Sequence, residues 1–401
     1  MTRPRVLVDA RKAADFGIGS YIRGLLGGLV RQERWDLCAT VHPGGDALLP
    51  PGVSPVACDA RHYSIAELFA VRGAIARLKP AVFHAPHYVV PVQPPAATVV
   101  TIHDLMHLTR PEHGAPWKRA YAKWMVGRAM RLSARVIAVS EATREEILAF
   151  GPENGGKVVV IPNGVREEFF EWGKRVAAAR DEAAASEGQV PRPDSLSKEI
   201  SSFLLFLGND KPHKNLEGLL RAWPHVRAEH PALSLVLAGV EPGPRELPEG
   251  AKAVGFVPDA DVPALVALAE ALVLPSFAEG FGLPVLEAHA AGTPVACSDL
   301  PALHEAGGEA AVFFNPHDAA TIANALNLLL GDEEKRNLLR KKGRGRARQF
   351  SWDEVAARTA DVYEDLLRRS SGAGTAGDAP TPFEGASHPH SFEENRPPSS
   401  S

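Results

Sequence analysis

Short apolar runs alternate with helix-period patterns along almost the whole chain, and this alternation limits the fold more than any other feature. Runs such as Arg5–Asp9, Thr98–Ile102, Phe203–Leu207 and Leu272–Pro275 carry too few polar residues for a half-wet strand. Strands buried on both faces and separated by crossover helices imply open parallel sheets, doubly wound with helices. The alternation lapses from Trp172 to Ile200, where the chain is charged, Ala-rich and interrupted by Ser and Pro. With 401 residues, two α/β units are expected. Their bounds are 1–172 and 201–350, joined by a 173–200 connection carrying a surface helix. A last amphipathic helix spans 351–369 behind the N-cap candidate Ser351, and 370–401 is a Gly/Pro/Ser-rich disordered tail.

Charge and composition exclude several classes of function. A net charge of −4 does not suit a general nucleic-acid binder. Cys38, Cys58 and Cys297 are scattered, without metal-ligand spacing, and suit a reducing compartment. Met1–Val8 is a short basic lead into a strand rather than a leader peptide, and no apolar run reaches the ~20 residues of a membrane span. A cytoplasmic protein is expected.

The segment Leu272–Ser298, LVLPSFAEGFGLPVLEAHAAGTPVACS, reads as strand, glycine-broken loop, short helix from Leu283, and strand. Gly280 and Gly282 allow the backbone to approach a ligand, and Pro284 suits a first helical turn. The amides of Phe281, Gly282 and Leu283, with the positive end of the helix dipole, can then receive an anion. Glu279 lies in the loop, and Glu287 leans back from the helix toward its start. An anion cradle between two carboxylates suits a nucleotide-sugar: diphosphate in the middle, ribose on one flank, hexose on the other.

Other candidates follow strands, where open α/β sheets bind ligands. In GNDKPHKN, Lys214 can reach a diphosphate, with Asn209, Lys211 and His213 nearby. The competing reading is a solvated loop flanking a helix. His103 can meet a sugar hydroxyl or carry a proton; equally, it is bonded to backbone while Asp104 caps the next segment. His84 and His87 read as structural or cleft-lining. Gly17 and Gly19 permit close backbone approach, but Ile22 occupies the third position of a GxGxxG fingerprint. Asp259-Ala260-Asp261 looks like a metal-holding DxD and is better explained as a helix N-cap ahead of Pro263. Trp117 to Arg135 is basic and aromatic, the composition of a peripheral membrane contact, although an ordinary helix packed on a sheet explains it more simply. The second basic run, Lys335 to Arg348, reads as a solvated helix face.

Taken together, FAEGFGLPVLEAHAAGTPV, GNDKPHKN, TIHDL, IPNGV and FSWDEVA closely resemble the GT-B glycosyltransferases of family 4. TIHDLMHLTRPEH and FGIGSYIRGLL are most similar to its mannosyltransferase-like members. The resemblance implies two Rossmann-like doubly wound domains facing a central cleft, acceptor on the first and donor nucleotide on the second. The C-terminal helix would cross back to the first domain. It also implies retention of anomeric configuration with no required metal or cofactor. Carried over by position, Glu279 would hold a donor-sugar hydroxyl, Glu287 the ribose and Lys214 the diphosphate. His103 would line the sugar pocket, Gly17 and Gly19 would approach substrates, and Val257 would meet the base through its backbone. Many members carry arginine where this chain has Asn209; either Lys211 or His213 substitutes, or the diphosphate is held less tightly.

The expected activity is transfer of a hexose, mannose from GDP-mannose, to a glycan or lipid-linked acceptor in polysaccharide or glycoconjugate assembly. The alternatives are a GT-B sugar-nucleotide epimerase and a catalytically silent nucleotide-sugar-binding subunit. A cytoplasmic location, with peripheral contact at the inner face of the membrane, accompanies this reading.

Overall fold

A computed structural model describes residues 3–15, 17–60, 65–109, 116–183 and 200–370. The first half runs β1 (Arg5–Asp9), α1 (Ile18–Arg31), β2 (Asp36–Val41), β3 (Ser54–Ala57), α2 (Ile65–Leu78), β4 (Val82–Ala85) and β5 (Thr98–Ile102). It continues through α3 (Met106–Thr109), α4 (Pro116–Leu132), β6 (Arg135–Ala138), α5 (Glu141–Phe150) and β7 (Val158–Val160). Helix α6 (Glu167–Ala183) precedes the second half: β8 (Phe203–Leu207), α7 (Leu216–Glu229), β9 (Ser234–Ala238), β10 (Ala251–Gly255), α8 (Val262–Leu268) and β11 (Ala271–Leu274). Then come α9 (Leu283–Ala291), β12 (Val295–Ser298), α10 (Pro301–Gly307), β13 (Ala311–Phe314), α11 (Ala319–Gly331), α12 (Glu333–Ala347) and α13 (Trp352–Ser370).

The strands form two wholly parallel sheets, ordered β3-β2-β1-β4-β5-β6-β7 and β10-β9-β8-β11-β12-β13. In each sheet the winding reverses beside the first strand, between β1 and β4 and between β8 and β11. Such a reversal opens a crevice at the carboxyl ends of the strands. The central strands β8, β11 and β12 are buried throughout, as their unbroken apolar sequences require.

Helix α13 leaves the second unit and packs on α1 of the first. Gly24 and Gly28 make room for it: a Cβ on Gly24 would overlap the Trp352 ring, and one on Gly28 would lie 2.6 Å from the Ala356 Cβ. Arg31 pairs with Asp353 and Arg135 with Asp365, both at 2.7 Å, and Ser351 Oγ accepts from the Glu354 amide at 3.1 Å. Val165 pairs in parallel with Ser351, which holds the crossing point.

Helix α6 differs from the surface helix expected in the connection. It begins ahead of residue 173, and Phe169 and Val176 are buried in the core of the second unit with Val285 and Leu286 of α9. Scattered charge hides its apolar face from a reading by composition. Residues 184–199 of the connection and 371–401 of the tail lie outside the described residues. No described helix is long and apolar enough to cross a membrane.

Candidate active site

The crevice of the second sheet collects most of the candidates. After β8, Gly208 is buried and Asn209 turns the chain, its Oδ1 accepting from the Lys211 amide at 3.3 Å. A 3-10 turn over Pro212–Lys214 then presents Lys214. Asn215 fixes this turn from inside. Its Nδ2 donates to the carbonyls of Pro275 (3.0 Å) and Pro316 (2.8 Å), while its Oδ1 accepts from the Gly218 amide at 3.1 Å. The end of β11 is thereby tied to the start of α7, and the Phe277 amide closes the join on the His213 carbonyl at 2.7 Å.

Lys214 Nζ donates to Glu279 Oε1 at 2.7 Å, and Ser276 Oγ donates to the same oxygen at 2.6 Å. Both partners of the ion pair are largely buried. Glu279 Oε2 has no hydrogen bond among the described residues, and an ammonium carries three donors, so both groups keep capacity for a ligand. Lys211 is exposed and stands apart from this pair.

Glu287 lies on α9, 7% exposed, and its carboxyl has no hydrogen-bond partner among the described residues. Burial pushes its pKa up to about 8 against the opposing pull of the Arg166 cation, with Asp259 adding to the rise. A buried carboxyl without a partner is costly unless something else donates to it. Gly282, at φ 98°, caps α9 in a left-handed conformation that a side chain would strain, and no side chain caps this helix. The Gly282 and Leu283 amides find no backbone acceptor among the described residues. Phe281 contributes only its backbone here, because its ring is buried against Phe350.

Gly280 does not face a ligand as the sequence suggests. A Cβ there would overlap the His103 carbonyl oxygen, and the Gly280 carbonyl accepts from Ser140 Oγ (2.6 Å) and Thr143 Oγ1 (2.9 Å). The glycine lets the loop carrying Glu279 dock on the first unit.

In that unit His103 follows β5, and its Nε2 lies 3.0 Å from the Pro86 carbonyl oxygen. That nitrogen must be the donor, which leaves Nδ1 as an acceptor in the neutral ring, and burial holds the pKa below the usual histidine range. Neutral His103 therefore cannot donate to a sugar hydroxyl through Nδ1. Tyr21 packs edge-on against it at 4.9 Å. Asp104 Oδ1 accepts from the Met106 amide at 3.1 Å, the capping role. His84 is buried between Tyr363 Oη (2.5 Å) and Thr101 Oγ1 (2.8 Å), a structural position. Gly17 takes φ 78° at the start of α1, and a Cβ on Gly19 would lie 2.5 Å from the Ala13 carbonyl oxygen. Both glycines serve the local turn.

Asp259 is held by Arg23 of α1 (2.8 Å) and Arg166 (3.3 Å), while Asp261 occupies the N-cap position of α8 without a side-chain capping bond. Capping by the side chain is thus not what these aspartates do. Val257 is buried, and its neighbour Phe256 is 74% exposed beyond β10. Ser276, Asn215, Arg166 and Phe256 were missed as candidates. Only the strand-end positions of Ser276 and Phe256 hinted at them.

On α4, Arg128 is buried against the carbonyls of Val90 and Pro91; Arg135, at the start of β6, belongs to the ion pair with Asp365. The exposed face keeps Trp117 (68%), Trp124 (52%), Lys123 and Arg131.

Two doubly wound parallel sheets, with a helix returning from the second unit to the first, define the GT-B architecture. Profiles of two families agree: Glycosyltransferase Family 4 over residues 17–169 and Glycosyl transferases group 1 over residues 191–346. The chain belongs to the group 1, family 4 glycosyltransferases. It is 29% identical over 310 residues to an O-antigen chain mannosyltransferase B of Escherichia coli, covering 73% of this chain and 76% of the relative. An MMP alpha-(1->4)-mannosyltransferase of Mycolicibacterium hassiacum is 30% identical over 61% of this chain and 57% of its own length. Among solved structures, a sucrose-phosphate synthase of Thermosynechococcus elongatus superposes with TM-score 0.71 at 20% identity, over 92% of this chain and all (100%) of the other. Anabaena HepE in complex with UDP-glucose gives 0.68 at 16% identity, over 90% and 99%.

Proposed function

We propose that this glycosyltransferase moves mannose from GDP-mannose to a glycan or lipid-linked acceptor with retention of anomeric configuration. The observation that carries the donor reading is the unpartnered, buried carboxyl of Glu287 on the helix whose open amides adjoin the Lys214–Glu279 pair. A ribose supplies the hydroxyl donors that Glu287 lacks, and a diphosphate suits the amides and the ammonium. Glu279 Oε2 is left for a hydroxyl of the transferred sugar. The mannosyltransferase relatives support mannose as the transferred sugar.

In this reading the acceptor oxygen bonds to the anomeric carbon as the bond to the diphosphate breaks on the same face. The acceptor proton passes to the departing phosphate, whose growing charge is met by Lys214 and the amides at the start of α9. His103, with Nδ1 as acceptor, orients a sugar hydroxyl. Either Lys211 or His213 substitutes for the cation missing at Asn209, or the diphosphate is held less tightly. No metal or organic cofactor takes part. Exposed Trp117 and Trp124 beside Lys123 and Arg131 support peripheral contact with an anionic membrane surface, where a lipid-linked acceptor would be met.

A thermal-shift series with GDP, UDP and ADP tests the carrier, followed by transfer assays with the matching sugars and product analysis by proton NMR. Stabilisation by GDP alone and an α-linked product from GDP-α-mannose are expected. Preference for another nucleotide, or an inverted linkage, overturns the corresponding part.

A further inference from the structure

The run Lys335 to Arg348, expected as a solvated helix face and largely exposed, also forms one wall of a half-open cavity of about 920 Å³. Its other walls are α6 and the end of α9 at Ala291 and Gly292, remote from the open amides that adjoin the Lys214–Glu279 pair. Arg340, Lys341, Arg344 and Arg348 recur near one face of α12 and its end, and Arg180 of α6 also lines the space. Among the described residues two carboxylates line the space as well. Glu333 is bonded to Arg340 at 3.0 Å and Glu270 lies 4.0 Å from Arg180. Lys341, Arg344 and Arg348 have no carboxylate at ion-pair distance among the described residues.

Offsetting the dipole of α12 explains cations in its last turn. It does not explain Arg340 and Lys341 farther back, nor Arg180 brought in on a different helix. Arg340 and Arg344 are held below the usual guanidinium range by burial, with Arg180 repelling both and Arg348 repelling Arg344. Arg344 donates to the Gly173 carbonyl at 3.2 Å, so part of the cluster is fixed in place without an anion. Forked guanidiniums from two helices around one space match the oxygens of a phosphate. The volume falls within the ~300–1,000 Å³ of small-molecule sites and exceeds what a bare ion needs.

We infer that the cavity between α6, the end of α9 and α12 is a second anion site, taking a phosphate-bearing ligand on Arg180, Arg340, Lys341, Arg344 and Arg348. This inference does not depend on the donor reading. A ligand here ties α6 to the helix that carries Glu287, across the nine residues of α9, roughly 13 Å.

Calorimetric titration of the full chain with inorganic pyrophosphate tests it, in a Lys214→Ala background that removes the donor-site ammonium. Binding is expected to persist there. It should weaken about tenfold or more when Lys341→Ala and Arg348→Ala, both exposed positions, are added. The charge-conserving pair Lys341→Arg and Arg348→Lys should restore it, which separates lost charge from lost fold. Co-sedimentation with phosphatidylglycerol vesicles identifies the source of the phosphate. Retention that depends on Lys341 and Arg348 assigns a lipid headgroup. Pyrophosphate binding without such retention assigns a soluble phosphorylated compound. No pyrophosphate binding in the Lys214→Ala background, or binding indifferent to the added pair, overturns the site and leaves the donor reading untouched.

Discussion

Lys214 and Glu279, 65 residues apart in sequence, share one ion pair at 2.7 Å at the reversal point of the second sheet. The lysine comes from the turn after β8 and the glutamate from the loop after β11, the two strands that border the crevice. Each group positions the other, so neither can be replaced without disturbing its partner.

Lys214→Ala should lower kcat by about 10²–10³, the usual loss for one preorganised donor to developing charge. Unfolding temperature should also fall, because the largely buried Glu279 carboxylate keeps only the Ser276 hydroxyl as donor, but the chain should remain folded. A cycle with Glu279→Ala should be non-additive in kcat. Near-normal turnover by the lysine variant would remove it from the mechanism.

Glu287 should make nucleotide binding depend on pH. Its folded-state pKa of about 8 lies above the ordinary carboxyl value, so the isolated protein favours the neutral form. The associated stability is whole below about pH 4.5 and is lost progressively as pH rises through 8. If ribose hydroxyls donate to the ionised form, binding near pH 7 releases a proton. Calorimetry in buffers of different ionisation enthalpy should detect that release. Glu287→Gln should abolish it, weaken nucleotide affinity, and unfold at a higher temperature than the parent at pH 9.

Gly280→Ala should separate the two units without unfolding either. The added methyl would overlap the His103 carbonyl oxygen, so the loop must lift from Ser140 and Thr143. Small-angle scattering should report a larger radius of gyration, and kcat should fall. Unchanged scattering and activity would show that the contact is dispensable.

Gly28→Leu should destabilise the chain by about 1–3 kcal/mol, since α13 leaves no space on that face of α1. Urea unfolding measures this directly. The same substitution at Gly27, where a Cβ would meet only the Arg31 side chain at 3.5 Å, should have a much smaller effect.

Trp117→Ser with Trp124→Ser should reduce retention on anionic vesicles while leaving transfer to a water-soluble acceptor unchanged. Both rings are exposed. Equal retention of parent and variant would remove the membrane role from α4.

The strands, the parallel sheets and the segment Glu279–Glu287 were legible in the sequence because each depends on local pattern: unbroken apolar runs, a glycine before a helix, a proline in its first turn. What escaped depends on neighbours distant in the chain. Ser276 matters because Glu279 folds back over it, and Arg166 because α9 brings Glu287 near it. Gly280 reads as a ligand-facing glycine in the sequence, since a docking glycine and a binding glycine look alike until the opposing backbone is known. Likewise, the basic residues of α12 read only as a solvated face, and their grouping with Arg180 shows only once α6 is placed across from them.

The bonds from Ser140 and Thr143 to the Gly280 carbonyl have a mechanical consequence. The loop that carries Glu279 is anchored in the opposite lobe, so the cleft cannot gape without dragging on Glu279 and, through it, on Lys214. Emptying the pocket and parting the lobes become a single motion.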